Sequence, residues 1–159
     1  MTPSNSHSDT PHELVLTRTV DVSPTKLWQG WTTPELLKRW FAPAPWSVAE
    51  CDIDLRPGGR FRTVMRSPEG EEFPGDGCIL EVVENRKLVW TDALLPGYRP
   101  APEPFFTAII TFEPDGSGTR YTARALHKDE AGRKAHEDMG FHEGWGKALD
   151  QLVLIAREL

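Results

Sequence analysis

The sequence predicts an α+β domain: an antiparallel sheet packed against one long C-terminal helix, with two short helices after the first strand. Three observations predict it. From Trp46 to His127 apolar residues recur with period two, the mark of half-buried strands, and turn signals interrupt the run. Ahead of that run, Ser23-Pro24 and Thr33-Pro34 each set a capping residue before a proline, the start of a helix. At the end, His142, Trp145, Leu149, Leu152, Ala156 and Leu159 recur at alternating spacings of three and four, one helical stripe that Met139 extends a step back.

The elements follow in order. ELVLTRTVD, from Glu13 to Asp21, alternates and is rich in Val, Leu and Thr, so it is a strand. Leu27, Trp28 and Trp31 give the first short helix its apolar face, and Leu36, Leu37, Trp40 and Phe41 the second; Pro43 and Pro45 end them. Strands are then expected at Trp46 to Leu55, Arg60 to Arg66, Phe73 to Glu84, Lys87 to Leu94, Pro104 to Glu113 and Gly118 to His127, six strands in an antiparallel meander. Gly75 and Gly77 suggest a bulge or bend in the third of these. Asp115-Gly116-Ser117-Gly118 is a strong hairpin signal. The connection from Leu95 to Glu103 is proline-rich and longer than a hairpin needs, which marks it as a candidate lid.

The final helix begins with residues that weaken helices. Gly140, Gly144 and Gly146 each cost about 1 kcal/mol relative to alanine. They are expected where a group approaches the backbone closely or a cavity needs room. The C-terminal half of the helix is therefore assigned to core packing and the N-terminal half to lining a space.

The chain has 159 residues, enough for one domain with a real core, here 13–159, preceded by a polar Pro/Ser-rich tail (1–12) expected to be disordered. The net charge of -6 without a basic stripe argues against nucleic acid or an anionic membrane as partner, and no apolar run is long enough to span a bilayer. With no apolar leader at the N-terminus, the cytoplasm is the expected compartment, and Cys51 and Cys78 are expected as thiols.

Metal, nucleophile and phosphate signatures are lacking. His142-Glu143 is not followed by a second histidine at position 146, and His136 and His142 are six apart, so no zinc spacing exists and no cofactor is predicted. No serine sits in a strand-to-helix elbow. Acid/base chemistry has four candidates. Alternation sets Tyr121 and His127 on one face of a strand and Asp92 beside Trp90 on another, while His142 is on the helical stripe. Arg60, Arg62 and Arg66 read as a surface ion-pair ladder with Glu50, Asp52 and Asp54.

Five stretches carry a resemblance: VDVSPTKLWQGWTTPELLKRWFAP, DIDLRPGGRFR, GCILEVVENRKLVWT, the Ile109-Ile110-Thr111-Phe112-Glu113 run, and MGFHEGWGKALDQL. With them the chain, over residues 13–159, resembles the START-like (SRPBCC) superfamily and, within it, the homologues of the heat-shock-protein-ninety ATPase activator. The resemblance implies a helix-grip fold of the birch-pollen-allergen type, a curved sheet around the long C-terminal helix with a cavity between them. Six tryptophans and seven phenylalanines make an aromatic lining the natural expectation. The expected wall is Trp40, Met65, Phe73, Trp90, Phe106, Tyr121, His127, Met139, His142, Trp145 and Leu149. The leading expectation is binding of a small hydrophobic or aromatic ligand, for carriage or sequestration. The alternatives are a cyclase- or dehydratase-type enzyme using His142, His127, Asp92 or Tyr121, and a stress-related co-chaperone acting on a chaperone ATPase. Co-chaperones of this type carry a further N-terminal domain, so a chaperone partner ranks last; a homodimer is left open.

Overall fold

In a computed structural model of the chain, residues 12–159 are described. The order is β1 (Glu13–Val20), α1 (Pro24–Thr32), α2 (Pro34–Leu37), β2 (Ser47–Ile53), β3 (Arg60–Arg66), β4 (Glu72–Val83), β5 (Lys87–Thr91), the short β6 (Leu94–Leu95) and β7 (Arg99–Pro100), β8 (Thr107–Asp115), β9 (Gly118–Leu126), α3 (Glu130–Asp138) and α4 (Phe141–Ala156). Seven strands form one antiparallel sheet in the order β1-β9-β8-β5-β4-β3-β2. Sequence neighbours pair by hairpins from β2 to β5 and from β8 to β9. The first strand instead pairs with the last, so α1 and α2 carry the chain from one edge of the sheet to the other.

Local chemistry accounts for the elements. Ser23 caps α1 by accepting from the Lys26 N–H at 3.4 Å, with Pro24 in the first turn. The alternation in β9 buries Tyr121, Ala123 and Ala125 and turns Arg120 out. Leu27, Leu37, Ile79, Ile110, Phe112, Leu149 and Leu152 form a continuous core between the sheet, α1 and α4. Gly30 lets α1 approach α4, because a Cβ there would collide with the Leu152 side chain. Both cysteines are free; burial, with the charge of Asp52 second, pushes the Cys51 thiol up to about 11, so it stays protonated.

Four details differ from the sequence expectations. The bulge in β4 falls between Ile79 and Glu81, beyond the glycines. Gly77 serves close approach instead: a Cβ there would stand 2.5 Å from the Thr91 carbonyl oxygen of β5. A separate helix, α3, precedes the long one; Asp129 caps it, accepting from the Gly132 N–H at 2.8 Å. Between α3 and α4, Gly140 adopts φ 92°, a left-handed turn that favours glycine. The tail expected over residues 1–12 lies outside the described residues up to 11. His12 itself is tied down, its carbonyl accepting from both the backbone N–H and Nδ1–H of His127 at 2.9 Å.

The Leu95–Glu103 connection, marked as a lid from its length, folds back as the β6–β7 pair. Its Gly97 N–H donates to the Gly58 carbonyl at 2.8 Å, which fastens it to the turn between β2 and β3. Only beyond it, at Phe105 and Phe106, does this connection reach the cavity.

Candidate functional site

A cavity of about 360 Å³ lies between the inner face of the sheet and the N-terminal half of α4. Strand β3 contributes Phe61, Thr63 and Met65 by simple alternation, β5 contributes Trp90, and Asp92 follows just past the end of β5. Gly75 of β4 leaves space where a larger side chain would fill it, and Gly77, held against β5, also lines the cavity. The rings interlock: Phe61 and Trp90 are 4.5 Å apart, Trp31 and Trp40 4.9 Å, Trp90 and Phe106 5.4 Å, and Phe141 and Trp145 4.6 Å. Met139, 73% exposed, and the left-handed Gly140 stand at the rim, so the junction of α3 and α4 forms the mouth.

The polar groups of this wall are few, and most are tied. At the inner end Trp31 donates its indole N–H to the Tyr121 hydroxyl at 3.0 Å, both side chains buried. Desolvation raises the Tyr121 pKa well above the usual phenol value, so the hydroxyl keeps its proton. Asp92 accepts from the backbone N–H groups of Phe105 (2.8 Å) and Phe106 (3.1 Å) through one carboxylate oxygen, which pins both rings into the wall. Asp76 Oδ1 stands 3.5 Å from Nε of Arg60, an ion-pair contact only, and neither buried atom has a hydrogen-bond partner among the described residues. The indole N–H of Trp90 is buried without an acceptor among the described residues.

Two polar groups remain: Thr63 of β3 and His136 of α3, the latter buried at 7% exposure. Its Nδ1 lies 2.9 Å from Nε2 of His127. His127 in turn has Nδ1 at 2.9 Å from the His12 carbonyl oxygen. A carbonyl only accepts, so His127 carries its proton on Nδ1 and, in the uncharged ring, offers Nε2 as an acceptor. Paired with that form of His127, His136 donates from Nδ1, which leaves its Nε2 as a lone pair. Burial, with the His127 charge second, pushes His136 down to about 4, so it is uncharged at neutral pH.

Of the residues expected in the wall, Trp40, Met65, Trp90, Phe106, Tyr121, Met139, Trp145 and Leu149 line the cavity, and three do not. Phe73 shares a face with Met65 by register but lies at the far end of β4, 48% exposed and packed at a tilt against Trp46 at 5.5 Å. His127 is buried behind His136, because α3 covers that end of β9. His142 is exposed: the buried stripe of α4 begins at Phe141, not His142. Both phases share Trp145 and Leu152, so spacing alone does not choose between them; the apolar Phe141 takes the inner position, against His136 at 5.2 Å. The four acid/base candidates therefore do not converge. Tyr121 and Asp92 line the cavity and the two histidines do not, and Tyr121 and His127 stand roughly 20 Å apart along β9.

The three glycines of the softened helix have three different roles. Gly140 supplies the left-handed turn, Gly144 lines the cavity, and Gly146 lies under the Arg18 side chain of β1. Sequence reasoning missed Trp31, Phe41, Phe61, Phe105, Phe141 and His136 in the wall. Phe61 was legible, two residues from Thr63 on the same face. His136 follows from α3, which the Asp129 cap announces. Among the described residues no three His, Cys, Asp or Glu side chains cluster in a metal-binding arrangement. No described helix is long and apolar enough to cross a membrane.

The family model described as Activator of Hsp90 ATPase homolog 1-like protein matches residues 21–156. No curated protein matches the chain. Among solved structures, a protein from Nitrosomonas europaea is 51% identical, with 92% of this chain and 94% of that one covered and a TM-score of 0.89. A protein from Mycobacterium smegmatis is 29% identical, covers 92% of this chain and 91% of its own, and has a TM-score of 0.77. An AHSA1-like protein from Aeromonas hydrophila, 18% identical over 92% of each chain with a TM-score of 0.68, shares the fold.

Proposed function

The chain belongs to the Activator of Hsp90 ATPase homolog 1-like family, and we propose that within it this protein binds a small hydrophobic molecule for carriage or sequestration. The observation that carries the reading is the cavity of about 360 Å³ walled by ten Phe, Trp and Tyr side chains. That volume and lining suit a compact aromatic ligand. Packing does not demand such a space: a void the side chains do not fill forfeits dispersion contacts, and proteins keep few of them. The glycines at 75 and 144 keep it open.

The test is native mass spectrometry of protein purified from its own source, with extraction of whatever is retained. Titration of the apo protein with a polarity-sensitive aromatic dye follows. Trp145→Ala and Phe106→Ala should weaken dye binding by about tenfold or more while the far-ultraviolet spectrum is unchanged. Unchanged affinity in the folded double variant would remove the site assignment.

A second reading, stimulation of a chaperone ATPase, is supported by the family description alone. A pulldown and an ATPase assay with the chaperone of the same cell test it.

A further inference from the structure

Resting on the proposal that the cavity binds a small molecule, the arrangement of its polar groups narrows the class. None of the side chains in the wall is Lys or Arg, and two, Asp76 and Asp92, are carboxylates. A ligand carboxylate would find no Lys or Arg in the wall and would stand beside two carboxylates, of which only Asp76 faces an arginine, Arg60, a costly placement in an apolar site. Fatty acids and aromatic acids are therefore poor candidates.

Besides those carboxylates and the Thr63 hydroxyl, the wall holds a ring-nitrogen acceptor fixed in place. The chain from the His12 carbonyl through His127 orients His136 and sets its tautomer, as a second residue orients a ligating or catalytic histidine elsewhere. No group among the described residues hydrogen-bonds Nε2 of His136. That ring is packed among Phe105, Phe106, Phe141 and Trp145 at centroid distances of 4.9 to 5.9 Å. A lone pair set in an aromatic wall accepts from a ligand donor that enters the cavity. We propose that the cavity selects uncharged aromatic molecules bearing a hydrogen-bond donor, phenols being the simplest, and seats the donor on Nε2 of His136. The rings stack against the ligand plane, and the lone pair reads its hydroxyl.

The test compares 2-naphthol, 2-methylnaphthalene and 2-naphthoate by calorimetry at neutral pH. The first two match in shape and differ in the donor; the third tests charge. The expected order is 2-naphthol tightest, 2-methylnaphthalene weaker by several-fold to about tenfold, the range of one net hydrogen bond, and 2-naphthoate weakest. His136→Phe keeps a ring in the wall and should bring 2-naphthol down to the level of 2-methylnaphthalene. Long-range nitrogen–proton spectra of the wild type, which need no variant, should show His136 protonated at Nδ1 and bare at Nε2. Equal binding of the naphthol and the methylnaphthalene overturns the donor inference and leaves the hydrophobic cavity standing. Failure of all three to bind removes the cavity reading as well. A His136 protonated at Nε2, or preferential binding of the naphthoate, also overturns the inference.

Discussion

Nδ1 of His136 lies 2.9 Å from Nε2 of His127, and both rings are buried. Burial, with the charge of His127 second, lowers the His136 pKa to about 4, against about 6.5 in an unfolded chain. Between these values the unfolded chain binds a proton that the folded protein refuses. Stability from this group is therefore fully present above about pH 6.5 and is lost as pH falls toward 4. The loss is at most about 3 kcal/mol, less where water enters from the cavity mouth. Urea midpoints at pH 7 and pH 4.5 check it: the drop should be smaller in His136→Phe than in the wild type. An equal drop would show that the ring titrates as in the unfolded chain.

Asp92 separates a structural role from a chemical one. Its carboxylate caps the Phe105 and Phe106 N–H groups, so Asp92→Ala should leave two donors unpaired and cost about 1–3 kcal/mol. Asp92→Asn keeps an acceptor oxygen and should bind dye within about twofold of the wild type. If Asp92→Asn behaves like the alanine variant, the negative charge matters and the capping account is wrong. Denaturation midpoints and dye titration give both readouts.

Tyr121 and Trp31 make a buried pair of another kind. Tyr121→Phe removes the acceptor of the Trp31 indole N–H and strands that donor in the core. The expected loss is about 1–3 kcal/mol in thermal or urea unfolding, with the cavity's apolar lining nearly unchanged. A loss below about 0.5 kcal/mol would mean that the indole finds another partner.

Gly140 sits at the cavity rim with φ 92°. Gly140→Ala has open space for its Cβ, so any destabilisation reports backbone strain alone, about 1–2 kcal/mol. Gly140→Asn should recover part of it, because asparagine tolerates left-handed backbone better than alanine does. If the two variants are equally stable, the strain argument fails.

The elements themselves were legible in the chain because each rests on short-range physics. Ser23-Pro24 marks a helix start through a cap and a fixed φ and Thr33-Pro34 through the proline alone, and the predicted Arg60–Arg66 strand is β3 to the residue because its two faces carry opposite polarity. The wall residues Met65, Trp90, Tyr121 and Leu149 were readable for the same reason: alternation or helical spacing sets the face of an element, and the face sets the environment.

What the sequence did not decide depends on how far one element covers another. Phe73 is on the inner face of β4 yet lies exposed at its far end, and His127 is on the inner face of β9 yet is sealed behind α3. His142 and Phe141 fit the helical stripe equally well, and only packing against His136 selected the phenylalanine. The lone pair on His136 arises from three residues, His12, His127 and His136, that the first strand, the last strand and α3 bring together. Periodicity determined which face of each element turns inward. Which part of that face meets a partner, a cavity or solvent was decided by the closing of the sheet around α4, since burial is a property of the assembled layers and not of any one segment.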